Sequence, residues 1–432
     1  MTKDHLSVTQ VIAATPDQVW SVVRDFCSPW HPFIAEMKAE HDNHGHLVRA
    51  FRVMGEGHYY RERLVWFSDS DRCMIYVHVE GIAGVEHYQG YLQINEQDNQ
   101  ALMTMSAWWI ASDERSNEIR EGTLQIFEQG IARVQDLVRQ SLPESMTRSD
   151  SVIDHPSGTL IDGAPILAVS RLGQKSSTVC VFLHGIGGNR SNWDDQLPVV
   201  SPHCEVVAMD LRGYGDSQLG HQPTTIDDYC NDILRVVDYC KADNLILCGL
   251  SLGAWIATSF AMRFPERLKG LVLAGGCLGM TEASDDERRG FRESRATPLA
   301  QGQTPADFAD NVVELICGPQ ADDAVRKALR TSMAAIQSDT YADALQCFTN
   351  PGERFDFSCL TVPTLMVTGE HDRLASPEEI RSVAQRILEH STRPDVRFEC
   401  LGGTGHVCNL ESPDQFNRVL AEFVERLLPL RV

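Results

Sequence analysis

The sequence predicts two modules. The first is an α+β domain whose strands curl around a long closing helix. The second is a mostly parallel α/β sheet with helices on both faces and a helical lid. Three observations carry this reading. Strand-like runs separated by polar turns fill residues 7–110 and end in a long helical period. From about Ser157, apolar strands alternate with helices, the rhythm of a parallel sheet. Between two of these elements stands Gly249-Leu250-Ser251-Leu252-Gly253, a G-x-S-x-G turn joining a strand to a helix.

At 432 residues the chain exceeds an ordinary single domain. Its net charge is −22, and both parts are acidic, with 13 basic against 22 acidic residues up to Asp150 and 25 against 38 beyond it. That balance argues against a nucleic-acid or anionic membrane surface. No apolar run reaches the length of a spanning helix, and Met1 to Leu6 lacks the apolar core of a signal peptide. The 13 cysteines are odd in number and form no C-x-x-C pair, so reduced thiols and a cytoplasmic location are expected. No cofactor and no metal are expected.

Taken in order, Ser7 to Ala13 reads as a strand. Thr15-Pro16-Asp17-Gln18 then starts a helix, with a capping residue and proline in the first turn. Val19, Trp20, Val22, Val23 and Phe26 give that helix an apolar side, and the prolines Pro29 and Pro32 end it. Strand-like runs follow at Leu47 to Met54, Arg61 to Ser68, Cys73 to Glu80, His87 to Asn95 and Ala101 to Ile110. A last helix over Gly122 to Gln140 spaces Leu124, Phe127, Ile131, Val134, Leu137 and Val138 near a helical period. His41, His44 and His46 invite a metal reading. They lack helical spacing and a carboxylate or cysteine set, so a solvated turn is expected. Of Arg61, Glu62 and Arg63, one could face inward, surface pairing being the default.

The residues Ala14-Thr15-Pro16-Asp17-Gln18-Val19-Trp20, Asp25-Phe26, Trp30-His31-Pro32 and Val85 to Tyr91 make this first module resemble the START-like (helix-grip, polyketide cyclase and lipid-transfer) superfamily. The resemblance implies a deep cavity between sheet and helix for a hydrophobic or aromatic ligand. It does not imply one chemistry. The module is placed at 1–142 and a polar linker with two prolines at 143–157.

The second module is placed at 158–432. Thr159 to Ile161 and Pro165 to Arg171 read as antiparallel starting strands. Val179 to Leu183 is wholly apolar, as a strand buried on both faces must be. Val206 to Met209, Leu245 to Cys248 and Leu268 to Ala274 continue the sheet, with a helix over Asp227 to Tyr239 and another from Ser251 through Ala257 and Phe260. Residues 278–356 break the rhythm with helical periods at Ala306 to Ile316 and Asp322 to Ile336, which is where a cap would sit. Pro363 to Thr368 and Val396 to Leu401 resume as strands, and Pro413 to Leu428 closes the chain as a helix.

A serine hydroxyl needs a base to attack a carbonyl, and an imidazole serves because it titrates near neutral pH. That imidazole needs a carboxylate to hold its tautomer. Ser251, Asp372 and His406 follow the ends of apolar strands, where a parallel sheet puts its site. His184-Gly185, Asp210 to Ser217, the turn at Ser251, Gly369-Glu370-His371-Asp372 and Gly405-His406 together resemble the α/β-hydrolase superfamily. Within it the second module is most similar to serine hydrolases of the enol-lactonase type. The resemblance implies Ser251 as nucleophile, His406 as general base and then acid, and Asp372 as the orienting carboxylate. It also implies the backbone N–H groups of Ile186 and Leu252 as oxyanion donors. His184, Trp193 and Trp255 are candidates for the pocket wall, the two tryptophans serving equally well as core. Asn189 and Arg190 could meet a substrate carboxylate. Asp210 and Asp216 are read as part of a structural turn.

These readings lead to an ester or lactone hydrolase acting through an acyl-enzyme on a small hydrophobic or aromatic substrate. A hydrophobic-ligand-binding or cyclase-like module is fused before it. Two alternatives stay open: a C–C bond hydrolase, and a ligand sensor using both cavities without fast turnover. Neither nucleic acid nor membrane is expected as a partner, and a homodimer is kept open.

Overall fold

Alternating apolar residues turn the N-terminal third into a sheet, and Thr15 starts its first helix. The Thr15 hydroxyl accepts from the Gln18 amide at 3.3 Å while the Gln18 side chain accepts from the Thr15 amide at 3.0 Å, so two orphan N–H groups are satisfied at once. The computed structural model describes residues 2–140 and 157–428. Its chain divides into two units: Met1–Ser151 with Pro394–Phe398, and Val152–Arg393 with Glu399–Val432. The linker expected at 143–157 lies outside the described residues except for Ser157.

The first unit runs β1 (Thr2–Ile12), α1 (Pro16–Val23), β2 (Ile34–His41), β3 (Leu47–Val53), β4 (Tyr60–Ser68), β5 (Cys73–Glu80), β6 (Val85–Gln97), β7 (Gln100–Ala111) and α2 (Asp113–Gln140). The strands pair antiparallel in the order β2-β3-β4-β5-β6-β7-β1. Register is fixed by burial: Met103, Met105, Ala107 and Trp109 of β7 all face the core, because side chains two apart share a face. Helix α2 packs on β1, β7 and α1. Its buried face is Ile119, Thr123, Phe127, Ile131 and Val134, whereas Leu124, expected on that face, is 38% exposed. The turn after β2 is polar, as expected, but not wholly solvated: Asp42 Oδ1 accepts from the amides of His44 (2.8 Å) and His46 (3.1 Å), and the His46 ring is buried with its Nδ1 2.9 Å from Asp42 Oδ2. Glu62 is the inward residue of its trio and pairs with Arg49, while Arg61 pairs at the surface with Glu40 and Glu80. A cavity of about 380 Å³ lies within this unit, lined by Arg49, Glu62, Tyr76, Tyr88 and apolar side chains of the sheet and α2.

The second unit runs β8 (Ser157–Ile161), β9 (Leu167–Leu172), β10 (Thr178–Leu183), α3 (Leu197–Val200), β11 (Glu205–Met209), α4 (Ile226–Cys240), β12 (Asn244–Leu250), α5 (Leu252–Arg263) and β13 (Leu268–Ala274). Four helices interrupt the sheet: α6 (Asp285–Ala300), α7 (Pro305–Ile316), α8 (Asp323–Ala334) and α9 (Ser338–Thr349). Then come β14 (Thr364–Gly369), α10 (Pro377–His390), the last three residues of β15 (Val396–Leu401), α11 (Cys408–Glu411) and α12 (Pro413–Leu427). The strand order is β8-β9-β11-β10-β12-β13-β14-β15. Strands β11, β10, β12, β13 and β14 are parallel, and β8 and β9 are antiparallel. Every residue of β10, β11 and β14 is buried, which explains why they are mostly apolar; the one charged residue among them, Glu205 of β11, pairs with Arg171. Among the described residues no helix is long and apolar enough to cross a membrane, and all 13 cysteines are free.

Candidate active site

The site begins where β12 ends. Ser251 has φ +55° and ψ −112°, a backbone conformation a side-chain-bearing residue adopts only when its surroundings force it. The forcing is visible on both sides. A Cβ on Gly249 would collide with the Gly253 carbonyl, and one on Gly253 would collide with the Leu183 carbonyl of β10. Only glycine lets strand and helix approach this closely, and the serine between them is turned out of the sheet. Its carbonyl accepts from Ala254 (2.9 Å) and Trp255 (3.1 Å), so α5 starts directly behind it. The positive end of that helix therefore points at the serine.

Asp372 follows β14. Its Oδ1 accepts from the amides of Leu374 (2.8 Å) and Ala375 (2.9 Å), and its Oδ2 lies 2.9 Å from Nδ1 of His406. Both side chains are buried. The His406 backbone is anchored by its amide to the Ile316 carbonyl at 2.7 Å. Glu411 braces the same loop, accepting from Gly405 (3.0 Å) and Gly318 (2.7 Å), and burial pushes its carboxyl up from the ordinary range.

Ser251, His406, Ile186 and Leu252 line one cavity of about 200 Å³. Among the described residues neither the Ile186 nor the Leu252 amide donates a turn, loop or cap hydrogen bond. The wall is mostly apolar, from the strand ends and from α6, α7, α8 and α9. The lining also includes Tyr341 of α9 and two charged side chains that carry no sequence signal, Arg295 of α6 and Glu379 of α10. No motif marks them, because they are single polar residues on helices.

The three candidates for the pocket wall lie elsewhere. His184 is fully buried, with Nδ1 at 2.8 Å from the Gly185 carbonyl and Nε2 accepting from the Leu211 amide at 3.1 Å. Burial pulls this imidazole below its ordinary pKa, and both nitrogens are occupied in bracing the loop. Trp193 packs on Phe182 and Phe416, and Trp255 packs edge-on to Phe348. None of the three lines the cavity. Arg190 is also committed, to Asp210 and Asp216, and the Asn189 side chain caps the Ser191 amide. Asp210 is wholly buried and ties this turn together by accepting from the amides of Arg190 (2.8 Å) and Asp216 (3.0 Å). Among the described residues no group of three or more histidine, cysteine or acidic side chains could hold a metal.

Two family models match. Residues 180–419 match "Alpha/beta hydrolase family", and residues 3–139 match "Polyketide cyclase / dehydrase and lipid transport". The chain is 25% identical over 274 residues to 3-oxoadipate enol-lactonase 2 of Acinetobacter baylyi, covering 63% of this chain and 98% of that one. It is 27% identical over 257 residues to strigolactone esterase D14 of Arabidopsis thaliana, covering 58% and 92%. The solved structure of a thermophilic esterase from Thermogutta terrifontis superposes with a TM-score of 0.56 at 22% identity, covering 63% of this chain and 99% of that one. With the matching model spanning more than half of its length, the chain belongs to the alpha/beta hydrolase family.

Proposed function

We propose that this chain is a serine hydrolase that opens a carboxylic ester or lactone through an acyl-enzyme. The observation that carries the reading is the His406–Asp372 hydrogen bond, in the cavity that Ser251 also lines. In this reading His406 takes the Ser251 proton through Nε2 as the oxygen attacks the carbonyl, and returns it to the leaving oxygen. Asp372 holds Nδ1–H and stabilises the imidazolium. The amides of Ile186 and Leu252 receive the oxyanion, each such donor being worth about 3 kcal/mol in the transition state. Water then repeats the sequence on the acyl-enzyme. The names of the esterase and lactonase relatives support the bond type. The α6–α9 segment acts as the cap that shapes the acyl pocket.

The N-terminal unit is read as the module that holds a hydrophobic or aromatic ligand related to the substrate, in its own cavity. The free, mostly buried thiols favour a reducing, cytoplasmic setting.

The test is hydrolysis of a panel of p-nitrophenyl esters and lactones by the wild type and by Ser251→Ala, with the pre-steady-state burst recorded. Turnover with a stoichiometric burst, lost in Ser251→Ala, is expected. Undiminished turnover in Ser251→Ala would remove the acyl-enzyme reading.

A further inference from the structure

The wall of the catalytic cavity is apolar apart from a few groups, and one stands out by charge. Arg295 is the sole cationic side chain among the lining residues. It sits on α6, with its guanidinium carbon 3.6 Å from the centre of the Phe291 ring. One of its nitrogens donates to the Phe291 carbonyl (3.2 Å) and to Ser294 Oγ (3.1 Å), both on its own helix. Tyr341 of α9 is its other polar neighbour. Among the described residues no carboxylate lies within ion-pairing distance of it, although most other arginines of this acidic chain have one.

An unpaired guanidinium against an apolar wall is held at a cost. Loss of water pulls its pKa below the ordinary arginine value, and the hydrogen-bonding Tyr341 hydroxyl offsets only part of that loss. The cost is offset when an anion arrives, and guanidinium geometry favours a carboxylate through two parallel hydrogen bonds. The one acidic lining residue, Glu379, does not serve as that anion. Desolvation and the neighbouring charges of Asp372 and Glu282 push its carboxyl up toward the neutral form. In the acyl-enzyme an ester's leaving group departs and a lactone's stays attached to the acyl chain, so in both cases the group left for the cavity's cation to meet belongs to the acyl part.

We infer that Arg295 makes this pocket selective for an ester or lactone whose acyl part carries a second, free carboxylate. The inference rests on the ester-hydrolase reading and names its substrate class. The assignment replaces Arg190, which the sequence suggested and which Asp210 and Asp216 already occupy.

The experiment compares mono-p-nitrophenyl glutarate with p-nitrophenyl pentanoate, acyl chains of equal length with and without the charge, after subtraction of the enzyme-free rates. The wild type should favour the glutarate ester in kcat/KM. That preference should fall at least tenfold in Arg295→Gln, mainly through KM, and be partly restored in Arg295→Lys. A preference unchanged in Arg295→Gln, or a wild type that favours pentanoate, overturns the inference while leaving the hydrolase reading intact. Turnover of neither ester by the wild type would instead fail the hydrolase reading itself. Should the variants not fold, glutarate must inhibit wild-type pentanoate hydrolysis more strongly than 1,5-pentanediol. Equal inhibition by the two overturns the inference.

Discussion

His406 Nδ1 lies 2.9 Å from Asp372 Oδ2, and the other oxygen of that carboxylate is already held by two backbone amides. This division of labour fixes how the carboxylate can be replaced. In Asp372→Asn the amides of Leu374 and Ala375 claim the side-chain oxygen, which leaves the NH2 group facing His406. The imidazole must then accept at Nδ1 and carry its proton on Nε2, the wrong tautomer for a base. We expect a folded protein whose kcat is lower by about four orders of magnitude, by analogy with such substitutions elsewhere. Ester hydrolysis by the purified variant, with its circular dichroism spectrum, checks this.

Ser251 stores strain. Its φ of +55° costs of order 1–3 kcal/mol for a residue with a Cβ. Glycine adopts this region freely, so Ser251→Gly should be inactive and more stable than Ser251→Ala, by about 1 kcal/mol after glycine's own entropy in the unfolded chain. Thermal unfolding of the two variants side by side gives the answer. A lower midpoint for the glycine variant would mean that the strain is not there.

Gly275, directly after β13, lies against the loop that carries His406. A Cβ there would stand 2.8 Å from the His406 carbonyl and 3.3 Å from two ring atoms, on a backbone with φ +54°. Gly275→Ala must displace His406 or strain its own backbone. We expect kcat to fall by at least tenfold alongside a stability loss of about 1–3 kcal/mol. Chemical denaturation and kinetics on the same preparation separate the two effects.

Acid sensitivity in the N-terminal unit should trace in part to His31, along with His78, whose pKa burial also lowers. Its Nε2 donates to the Ile126 carbonyl (2.9 Å), and its Nδ1 accepts from the Phe33 amide (3.2 Å), so the ring is held neutral. Burial, with Arg49 adding to it, pulls its pKa below the ordinary value of 6.5. The unfolded chain therefore binds the proton first. The contribution of neutral His31 is complete above about pH 6.5 and is lost as pH falls toward the lower folded value. Unfolding midpoints from pH 7.5 to 5 should fall less steeply in His31→Gln than in the wild type. Equal slopes would exclude this histidine as a cause.

Strand and helix positions in both units were legible where burial imposes a period. β13 and β15 match their expected bounds because each is an apolar run closed by turn residues. β2 escaped notice because its residues are half-exposed and do not alternate. α6 escaped because none of its residues is buried, so no apolar face exists to be read. α10 lay outside the expectations although Ser376 caps it and Ile380, Val383, Ala384 and Ile387 form its buried face. Ser251, Asp372 and His406 were legible as candidates because each follows a strand in a glycine-containing turn, and the structure brings His406 to Asp372 and puts Ser251 and His406 on one cavity. The pocket wall could not. Trp193 and Trp255 are large and apolar, which tells a reader that they are buried but not on which side of the sheet. Arg295 is one arginine among several on its helix, and only the fold shows which of them meets the cavity.

The central claim is that ester cleavage passes through a covalent bond to Ser251. A fluorophosphonate probe forms a stable adduct with an activated serine, and intact-mass analysis with peptide mapping reports its site. The account predicts one adduct per chain, on the peptide carrying Ser251, with esterase activity falling in step with labelling and no adduct in Ser251→Ala. Esterase activity that persists with Ser251 fully labelled, or an adduct on another serine that tracks the loss, would contradict it.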